Sequence, residues 1–552
     1  MAPESHFDFL IIGSGFGGSV SALRLVEKGY RVAVLEQGAD FSGGDFAKTT
    51  WDLRKWLWMP RLGFRGIMQL RFFRDVTVLA GSGVGGGSLG YACTLPTPKA
   101  SFFQAPSWAN LADWQRELAP HYETARRMLG VAKVPQLFPA DRVLLRVAEK
   151  RGQVENFQVP EVGIYFGDAG RVTADPFFGG EGPDRRGCRF CGACMTGCRH
   201  DAKNSLDKNY LYLARRGGLT LLANTEVIDV APEAGGYRVR ALSGESGLSF
   251  RRTERSFSAD RVIFSAGALG TVELLLRLKQ KGSLPELSTE LGRRVRTNEE
   301  SLIAVTVNSR ERSMSEGVAI GSLLQTDERS HIEAVRYGQG SGTWRLLALP
   351  HVASNLPGLI KIVLALFSIL RHPIRFLRAW LVPDWAKYTA ILLYMRSFEG
   401  SLRFKLRRGP FGTSMGSTVD GGPKPRAYMP EASKLAEEYA READGVAVAM
   451  FTETLLNVPT TAHLLGGCCM GTSAADGVID AQHRVFGHPG LYVIDGSSVS
   501  ANPGVNPSLT ITALAERAMS FIPPKSDAGP GRSNERAPAA AAMPRARIVA
   551  SS

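Results

Sequence analysis

Long uncharged hydrophobic runs are missing from this 552-residue chain. The apolar stretch from Ile362 to Leu370 is far shorter than the ~20 residues that a transmembrane helix needs. The apolar residues 9–12 lack the basic region and the small-residue cleavage site of a secretory signal. We therefore expect a cytoplasmic protein that does not span the membrane.

Cysteine is scarce and unevenly distributed. There are seven cysteines, an odd number, and four of them are crowded between residues 188 and 198. This pattern argues against the disulfide framework of a secreted protein. It favours reduced thiols or a bound metal.

Acidic residues are outnumbered: 52 Asp and Glu against 66 Lys and Arg leave a net charge of +14. Such an excess suggests an anionic partner or surface. The basic residues are scattered and no nucleic-acid-reading motif appears, so we expect no nucleic acid partner and favour an anionic membrane surface. The composition, 44% hydrophobic and 21% charged, is that of a globular protein, and the length predicts two or more domains.

A nucleotide-binding pattern opens the chain. The apolar residues 7–12 lead into a G-x-G-x-x-G turn, followed by a helical pattern that stops at Gly29. A second apolar run then ends on Glu36. Strand, glycine turn, helix, strand and acid in this order predict a dinucleotide-binding βαβ unit.

Each glycine of the turn has a separate physical role. Gly13 makes the tight turn, Gly15 lets the backbone approach a pyrophosphate, and Gly18 lets the helix pack on the strand. The pyrophosphate would lie at the helix N-terminus, where free N–H groups favour negative charge. Glu36 would accept hydrogen bonds from ribose hydroxyls.

Further glycine-rich segments follow. The run from Ala80 to Ser88 is too rich in glycine for a helix interior and indicates backbone close to a ligand. Residues 219–230 are typical of a strand with a turn, and residues 261–270 of a buried strand that ends in glycines before a helix. Residues 490–496 predict a last strand, with a helix at about 507–521.

Two polar residues near the C-terminus are candidates for catalysis. Taken alone, His463 among apolar residues is more often a core histidine than a catalyst, and Asn506 before a proline is most often part of a turn. Their meaning changes when all these segments are considered together.

In this order the segments resemble the glucose-methanol-choline (GMC) flavin oxidoreductases, and within them the actinobacterial cholesterol oxidases. The resemblance extends from about residue 7 to residue 522. The segments that carry it are Gly13–Gly18 with Glu36, Gly81–Ser88, Ser265–Gly270, His463–Gly467, Leu491–Gly496 and Gly504–Pro507.

The resemblance implies an α/β fold. A Rossmann-like FAD-binding domain would be interleaved with an α+β substrate domain built on an antiparallel sheet. The expected segments are 1–130, 205–300 and 461–522 for the FAD-binding domain, 131–204 for an insertion with the cysteines, 301–460 for the substrate domain and 523–552 for a disordered tail.

The implied cofactor is FAD, held without a covalent link because residues 80–95 contain no histidine of the kind that attaches the flavin in some family members. The expected cofactor-binding residues are Gly13, Gly15, Phe16, Gly18, Glu36, Gly81, Gly85, Gly86, Ser88, Val227, Gly267, Asp495 and Gly496. One departure from the steroid oxidases is notable. They usually carry an asparagine after the second glycine run, where this chain has Gly90-Tyr91.

The implied reaction is hydride transfer from the carbinol carbon of a 3β-hydroxysteroid to flavin N5, with oxygen as acceptor and hydrogen peroxide as product. A base must take the hydroxyl proton as the hydride leaves. His463 matches the family's histidine, as base or as the donor that positions the substrate oxygen, and Asn506 matches its partner. Glu333 matches the carboxylate that moves the Δ5 double bond to Δ4, although a solvated surface residue is the alternative.

Two other functions stay open. One is a dehydrogenase of another bulky or long-chain alcohol that passes electrons through an iron–sulfur centre to a quinone or protein acceptor. The other is a non-catalytic flavin- or metal-binding redox sensor, against which the joint presence of His463 and Asn506 argues.

The crowded cysteines have the spacing of a bacterial ferredoxin, although Arg199 replaces the usual proline. An iron–sulfur cluster, a structural zinc or other metal clip, and free thiols are the three alternatives. The predicted ligands are Cys188, Cys191, Cys194 and Cys198.

Residues 356–383 combine strong apolarity with arginines and a tryptophan. This pattern favours equally an interfacial helix on an anionic leaflet and a buried core helix that caps the substrate cavity. Either suits a lipid substrate that is drawn from a bilayer.

Overall fold

The computed structural model describes residues 5–244, 252–309, 313–397, 400–409 and 412–526. Residues 527–552 of the predicted tail lie outside the described residues. The helices are α1 (Phe16–Glu27), α2 (Leu53–Trp56), α3 (Ala100–Phe103), α4 (Trp114–Met128), α5 (Pro139–Lys150), α6 (Tyr210–Arg216), α7 (Gly267–Lys281), α8 (Gly358–Arg371), α9 (Pro373–Trp380), α10 (Pro430–Glu442), α11 (Phe451–Leu456) and α12 (Ser508–Ser520).

The strands are β1 (His6–Ile12), β2 (Val32–Leu35), β3 (Trp58–Met59), β4 (Phe64–Arg65), β5 (Met68–Phe72), β6 (Thr77–Gly81), β7 (Ala132–Lys133), β8 (Phe157–Gln158), β9 (Glu161–Val162), β10 (Val172–Thr173), β11 (Arg185–Arg186), β12 (Thr220–Leu222), β13 (Thr225–Glu233), β14 (Gly236–Ser243), β15 (Thr253–Phe264), β16 (Ser301–Val307), β17 (Ile320–Gln325), β18 (Ser330–Val335), β19 (Ala348–Pro350), β20 (Thr389–Arg396), β21 (Ser401–Gly409), β22 (Gly412–Gly421), β23 (Gly445–Met450), β24 (Thr460–Thr461) and β25 (Leu491–Val493).

The first large sheet is mostly parallel. Its order is β12-β2-β1-β15-β14-β13, and β25 also pairs with β15. The strands β12, β2, β1, β15 and β25 run parallel, while β14 and β13 are antiparallel. The apolar ends of β1 and β2 are buried, as expected for parallel strands that are covered on both faces. Together with α1 they form the predicted βαβ unit.

The second large sheet is antiparallel throughout its described pairings. Its order is β19-β23-β16-β20-β18-β17-β8, and the helices α5 and α10 pack against it. All six residues of β18 are buried. A Rossmann-like sheet beside an antiparallel sheet confirms the predicted α/β fold class.

The two sheets draw on interleaved parts of the chain. Strands of the first sheet come from residues 6–35, 220–264 and 491–493. The hairpin β21–β22 packs on the hydrophobic core of the first sheet, although its sequence lies in the segment predicted for the substrate domain. The segment limits given above stay a prediction.

Candidate active site

The loop after β1 has the geometry of a nucleotide-binding turn. Gly13 has a φ of +97°, and a Cβ there would lie 2.5 Å from the carbonyl oxygen of Ser265. A Cβ on Gly18 would overlap with the carbonyl oxygen of Gly13, so only glycine lets α1 approach β1 this closely. Gly15, at the start of α1, has no other atom within 4 Å of an added Cβ. This open space at a helix N-terminus is where a phosphate group fits.

The acid after β2 is already held by the protein. Glu36 is buried and accepts hydrogen bonds from the Ser14 N–H (3.1 Å), the Ser14 hydroxyl (2.7 Å) and the Gly38 N–H (2.9 Å). Burial raises the pKa of Glu36, and these hydrogen bonds oppose the shift. A carboxylate has lone pairs to spare for ribose hydroxyls. The sequence interpretation missed Ser14, which orients this acid.

The second glycine run covers the N-terminus of α1. A Cβ on Gly86 would lie 2.7 Å from the Cα of Gly15, and Gly81 and Gly86 line the large cavity described below. Gly85 and Ser88, predicted to bind the cofactor, do not line it. The Ser88 hydroxyl donates to the Gly85 carbonyl (2.7 Å) and accepts from a backbone N–H (3.0 Å), so these two residues shape the loop from behind.

A second buried acid joins the loops after β15 and β25. Asp495 accepts hydrogen bonds from the Gly267 N–H (2.9 Å), the Thr271 hydroxyl (2.5 Å) and the Ser497 N–H (2.8 Å). Burial raises the pKa of Asp495, although these donors lower it. Gly267 has no atom within 4 Å of an added Cβ, which leaves room beside it.

One cavity of about 1680 Å³ brings most of the predicted residues together. The nucleotide end contains Gly13, Gly15, Phe16, Glu36, Gly81, Gly86, Val227, Gly267, Asp495 and Gly496. Apolar side chains of the second sheet line the other part, among them Leu302, Ile320, Val335, Ile391, Leu393 and Val448. His463 and Asn506 line the same cavity. Gly90 and Tyr91 also line this cavity. They occupy the place where the resemblance to the steroid oxidases led us to expect an asparagine.

The catalytic candidate His463 is held between two polar partners. Its Nδ1 lies 2.7 Å from Glu300 Oε1, and its Nε2 lies 3.5 Å from Asn506 Nδ2. When Nδ1 carries the ring proton and donates it to the Glu300 carboxylate, the Nε2 lone pair faces Asn506 and the cavity and can accept a proton. The pKa of His463 is raised: burial, the largest single effect, lowers it, but the charge and hydrogen bond of Glu300 outweigh burial.

Glu300 was not found from the sequence. It is buried, and it accepts hydrogen bonds from the Thr461 hydroxyl (2.8 Å) and the Ala462 N–H (2.9 Å) besides facing His463. Asn298 and Glu299 have positive φ values and turn the chain just before it. The only sequence signal is a pair of acids in front of an apolar strand.

Glu333 is fully buried on β18, so the solvated-surface alternative is wrong. Its Oε2 lies 3.4 Å from Asn506 Nδ2, and its Oε1 lies 3.5 Å from His331 Nε2. Glu333 itself does not line the cavity. The structure brings the three predicted catalytic residues together, with Asn506 between Glu333 and His463.

The four crowded cysteines line a second, smaller cavity and not the large one, although Met195 of the same loop lines the large cavity. Among the described residues, no group of three or more His, Cys, Asp or Glu side chains is placed to hold a metal ion. The geometry therefore does not support the predicted single-metal clip. Cys188 is buried, Cys194 and Cys198 are half-buried and Cys191 is exposed.

Comparison with known proteins decides the family. A family model described as FAD dependent oxidoreductase matches residues 8–302, and one described as GMC oxidoreductase matches residues 416–515. A cholesterol oxidase of Acinetobacter baumannii is 46% identical over 532 residues, which cover 94% of this chain and 95% of that protein. The chain belongs to the GMC oxidoreductases.

Two further similarities extend this result. A cholesterol oxidase of Mycobacterium tuberculosis (strain ATCC 25618 / H37Rv) is 43% identical, covering 96% of this chain and 92% of that protein. The crystal structure of a pyridoxine 4-oxidase from Mesorbium loti superposes with a TM-score of 0.59 at 16% identity, covering 93% and 99% of the two chains. At 16% identity, the likeness to the pyridoxine 4-oxidase concerns the fold alone.

The residues of this GMC oxidoreductase fit FAD. Three features of one cavity match the parts of this cofactor. The open N-terminus of α1 at Gly15 suits the phosphates, and the buried acid Glu36 suits a ribose. The free space beside Gly267 leaves room for an extended ligand. When bound, FAD supplies the acceptor for a hydride. Iron–sulfur chemistry does not follow from the family match.

Proposed function

We propose that this GMC oxidoreductase oxidises the 3β-hydroxyl group of a sterol to a ketone, with oxygen as acceptor and hydrogen peroxide as product. The proposal is supported by the cholesterol oxidases that resemble the chain over almost its full length. It is carried by one observation: the His463–Asn506 pair lines a cavity whose other part is walled by apolar side chains of the second sheet. A rigid hydrocarbon with one hydroxyl suits such a cavity.

The side chains then have separate roles. His463 Nε2 takes the hydroxyl proton while Glu300 holds the Nδ1 proton and orients the ring. Asn506, which lines the cavity beside His463, hydrogen-bonds to the substrate oxygen or to the flavin edge. The apolar wall excludes water and orients the carbinol carbon. Glu333 would move the Δ5 double bond to Δ4 by carrying a proton between two substrate carbons, which requires the Asn506 side chain between it and the cavity to move aside.

The first test is an anaerobic absorbance spectrum of the purified protein before and after cholesterol is added. We expect flavin bands that bleach with cholesterol and return when air is admitted, with one hydrogen peroxide formed per ketone. Flavin that cholesterol never bleaches would overturn the substrate. Bleached flavin that air does not reoxidise would overturn oxygen as the acceptor.

A His463→Ala variant tests the role of the histidine. We expect the cholesterol-dependent bleaching rate to fall by about 10²–10⁴-fold, the usual contribution of a general base, while the flavin stays bound. An unchanged rate would contradict the assignment.

We further propose that α8 and α9 place the enzyme on an anionic membrane surface. Of the residues in α8, only Lys361 and Ala365 are buried, which contradicts the core-helix alternative. Large apolar side chains are exposed along both helices: Leu359, Ile360, Ile362, Val363, Leu364, Leu366, Phe367, Leu370, Ile374, Leu377 and Trp380. So large an apolar surface on one helix pair marks an interaction site.

The occupant is argued from charge. Residues 356–383 contain no acid, and exposed Arg371 and Arg378 lie among the apolar side chains. This combination suits an anionic bilayer interface. The helices α8 and α9 pack on β19 and β23, and both strands contribute to the cavity wall. No described helix is long and apolar enough to cross a membrane.

Sedimentation with lipid vesicles tests this surface. We expect the protein to sediment with phosphatidylglycerol-containing vesicles, and much less with pure phosphatidylcholine vesicles. Leu370→Gln with Leu377→Gln should reduce the bound fraction several-fold. The control pair Val154→Gln with Val172→Gln removes exposed apolar side chains elsewhere and should bind normally. Equal binding of both pairs would contradict the proposal.

A further inference from the structure

A second, smaller cavity lies beside the loop that carries the crowded cysteines. All four of these cysteines line it, together with apolar and glycine residues such as Ile164, Ala202 and Gly317. We propose that this cavity holds a [4Fe–4S] cluster whose ligands are Cys188, Cys191, Cys194 and Cys198.

The arrangement of the thiols favours a cluster over a single ion. Four thiolates on one zinc ion converge to about 3.8 Å from each other, since tetrahedral Zn–S bonds are about 2.3 Å long. No described group of ligand side chains is placed to hold one ion. In a four-iron cluster each thiolate binds a different iron, so the sulfurs surround a space instead of meeting at a point. The four cysteines line one cavity, which is the space that a cluster between them would occupy.

The loop is shaped to direct N–H groups at the sulfurs. Phe190 and Gly192 have φ values of +53° and +67° and turn the chain between the first three cysteines. The Phe190 N–H lies 3.4 Å from the Cys188 sulfur. Backbone N–H groups of Ala193 and Ala319 donate to the sulfurs of the second and third cysteines. Hydrogen bonds of this kind stabilise thiolate ligands.

Two buried cations beside the cavity provide a second, independent observation. Lys203, 2% exposed, donates to the backbone carbonyls of Leu89 (2.8 Å), Tyr91 (2.9 Å) and Cys194 (2.9 Å). Arg185, 1% exposed, donates to two backbone carbonyls and one side-chain amide. Among the described residues, neither cation forms an ion pair with a carboxylate.

Such cations need an anion nearby. Burying an ammonium or guanidinium group without a counter-charge costs several kcal/mol. A cluster with four thiolate ligands carries net negative charge and supplies it. Asp207 interacts electrostatically with both cations, and Asp201 with Arg185, but neither lies within ion-pair distance of them. Four neutral thiols would leave Lys203 and Arg185 with these carboxylates alone, which is why we favour the cluster over free thiols.

The ligand set excludes a fifth thiol. Cys93 is buried and does not line the cavity, and its thiol hydrogen-bonds to the Cys194 sulfur, so it is a neighbour of one ligand and not a ligand itself. It therefore serves as the matched control in the test.

The experiment is iron and acid-labile sulfide analysis of anaerobically purified protein, with electron paramagnetic resonance after reduction by dithionite. We expect about four irons and four sulfides per chain and a signal from the reduced cluster. Cys191→Ser and Cys198→Ser should each lose most of the iron, while Cys93→Ala should keep it. Bound FAD, measured in every variant, shows that the chain is folded and makes the result independent of the sterol activity.

Two outcomes would overturn the cluster. One is wild-type protein that holds FAD but takes up no iron or sulfide, even after anaerobic incubation with ferrous iron and sulfide. The other is a single zinc ion per chain that the Cys191→Ser variant loses.

Discussion

At the scale of single residues, the pair His463–Glu300 decides the chemistry of the site. The 2.7 Å contact joins a nearly buried ring to a buried carboxylate, so the ring is fixed in one orientation with Nε2 toward the cavity. An imidazole that accepts a proton works best when its neutral form is oriented in advance. Glu300 acts as a positioning residue because it acts on the reaction through the His463 ring, whose Nδ1 it contacts.

Replacing Glu300 with Gln should change both the rate and its pH dependence. Glu300 raises the pKa of His463, so the activity of the wild-type enzyme falls as the pH drops through that raised pKa. In Glu300→Gln we expect this acid limb to move to lower pH, with kcat/KM reduced by about 10²-fold at neutral pH. Steady-state pH profiles measure both effects.

Glu299→Gln is the matched control for that profile. Glu299 precedes Glu300 in the same turn but pairs with Arg396 at 2.8 Å. The acid limb of the pH profile of Glu299→Gln should coincide with that of the wild-type enzyme. A shift of equal size in both variants would mean that the turn, and not the contact with His463, sets the pKa.

Replacing Glu333 should separate the oxidation of the hydroxyl group from the isomerisation of the double bond. The Glu333 carboxylate contacts Asn506 and does not line the cavity, so it does not take the hydroxyl proton itself, although its charge contributes to the raised pKa of His463. With Glu333→Gln we expect ketone formation within about 10-fold of the wild type, while the Δ5 ketone accumulates in place of the Δ4 ketone. Product analysis by absorbance near the conjugated enone band checks this. Full isomerisation by the variant would remove Glu333 from that role.

At the scale of elements, the contact between α1 and β1 sets where a cofactor can lie. The helix approaches the strand so closely that a Cβ on Gly18 would overlap with the Gly13 carbonyl. Gly18→Ala should therefore push α1 outward, lower the free energy of unfolding by about 1–3 kcal/mol and weaken FAD retention. Urea denaturation and the flavin-to-protein ratio are the measurements. Gly44→Ala, where an added Cβ meets nothing within 4 Å, should leave both unchanged.

The pair α8–α9 shows how an element can be stable with an exposed apolar face. The helix α8 is anchored through the buried Lys361, which donates to the Asn457 side chain, and through Gly358, whose missing side chain lets it approach Leu455. These contacts hold one face of α8 against the protein, while the apolar side chains on its other face are exposed to solvent. The proposed membrane contact would cover that exposed edge.

At the scale of the whole molecule, packing of the two sheets buries acids that the sequence would assign to the surface. Glu453, on α11, is buried, and burial raises its pKa to about 8 against opposing hydrogen bonds from Thr460 and Leu302. In the folded protein this group therefore keeps its proton near neutral pH, whereas the unfolded chain loses it near 4.5.

This raised pKa has a consequence for stability. Since the folded state binds more protons between about pH 4.5 and 8, the free energy of unfolding should fall as the pH rises through this window. Glu453→Gln cannot ionise, so relative to the wild type it should gain more than about 1 kcal/mol between pH 5 and pH 8. Denaturant unfolding at the two pH values measures the gain. Parallel profiles for the two proteins would contradict the expectation.

Much of the nucleotide site could be predicted because its signals are local. The turn at Gly13 and the helix start at Gly15 follow from a short motif of neighbouring residues. The apolar runs of β1 and β2 predict buried strands. The roles of His463 and Asn506 could be inferred only from resemblance. Glu300 escaped because its partner lies 163 residues further along the chain, with no local pattern to join them.

By itself, then, the sequence determined the βαβ unit and the cysteine spacing, since backbone conformation and hydrophobic periodicity depend on neighbouring residues. The α/β class followed from the resemblance to a known family. The tertiary structure decided which acids are buried, that Gly85 and Ser88 stand behind the cavity wall, and that α8 and α9 are exposed. It also placed Lys203 and Arg185 beside the cysteines, and neither forms an ion pair with a carboxylate in the part of the chain that the structure describes. These features depend on contacts between distant parts of the chain, which no local sequence pattern encodes.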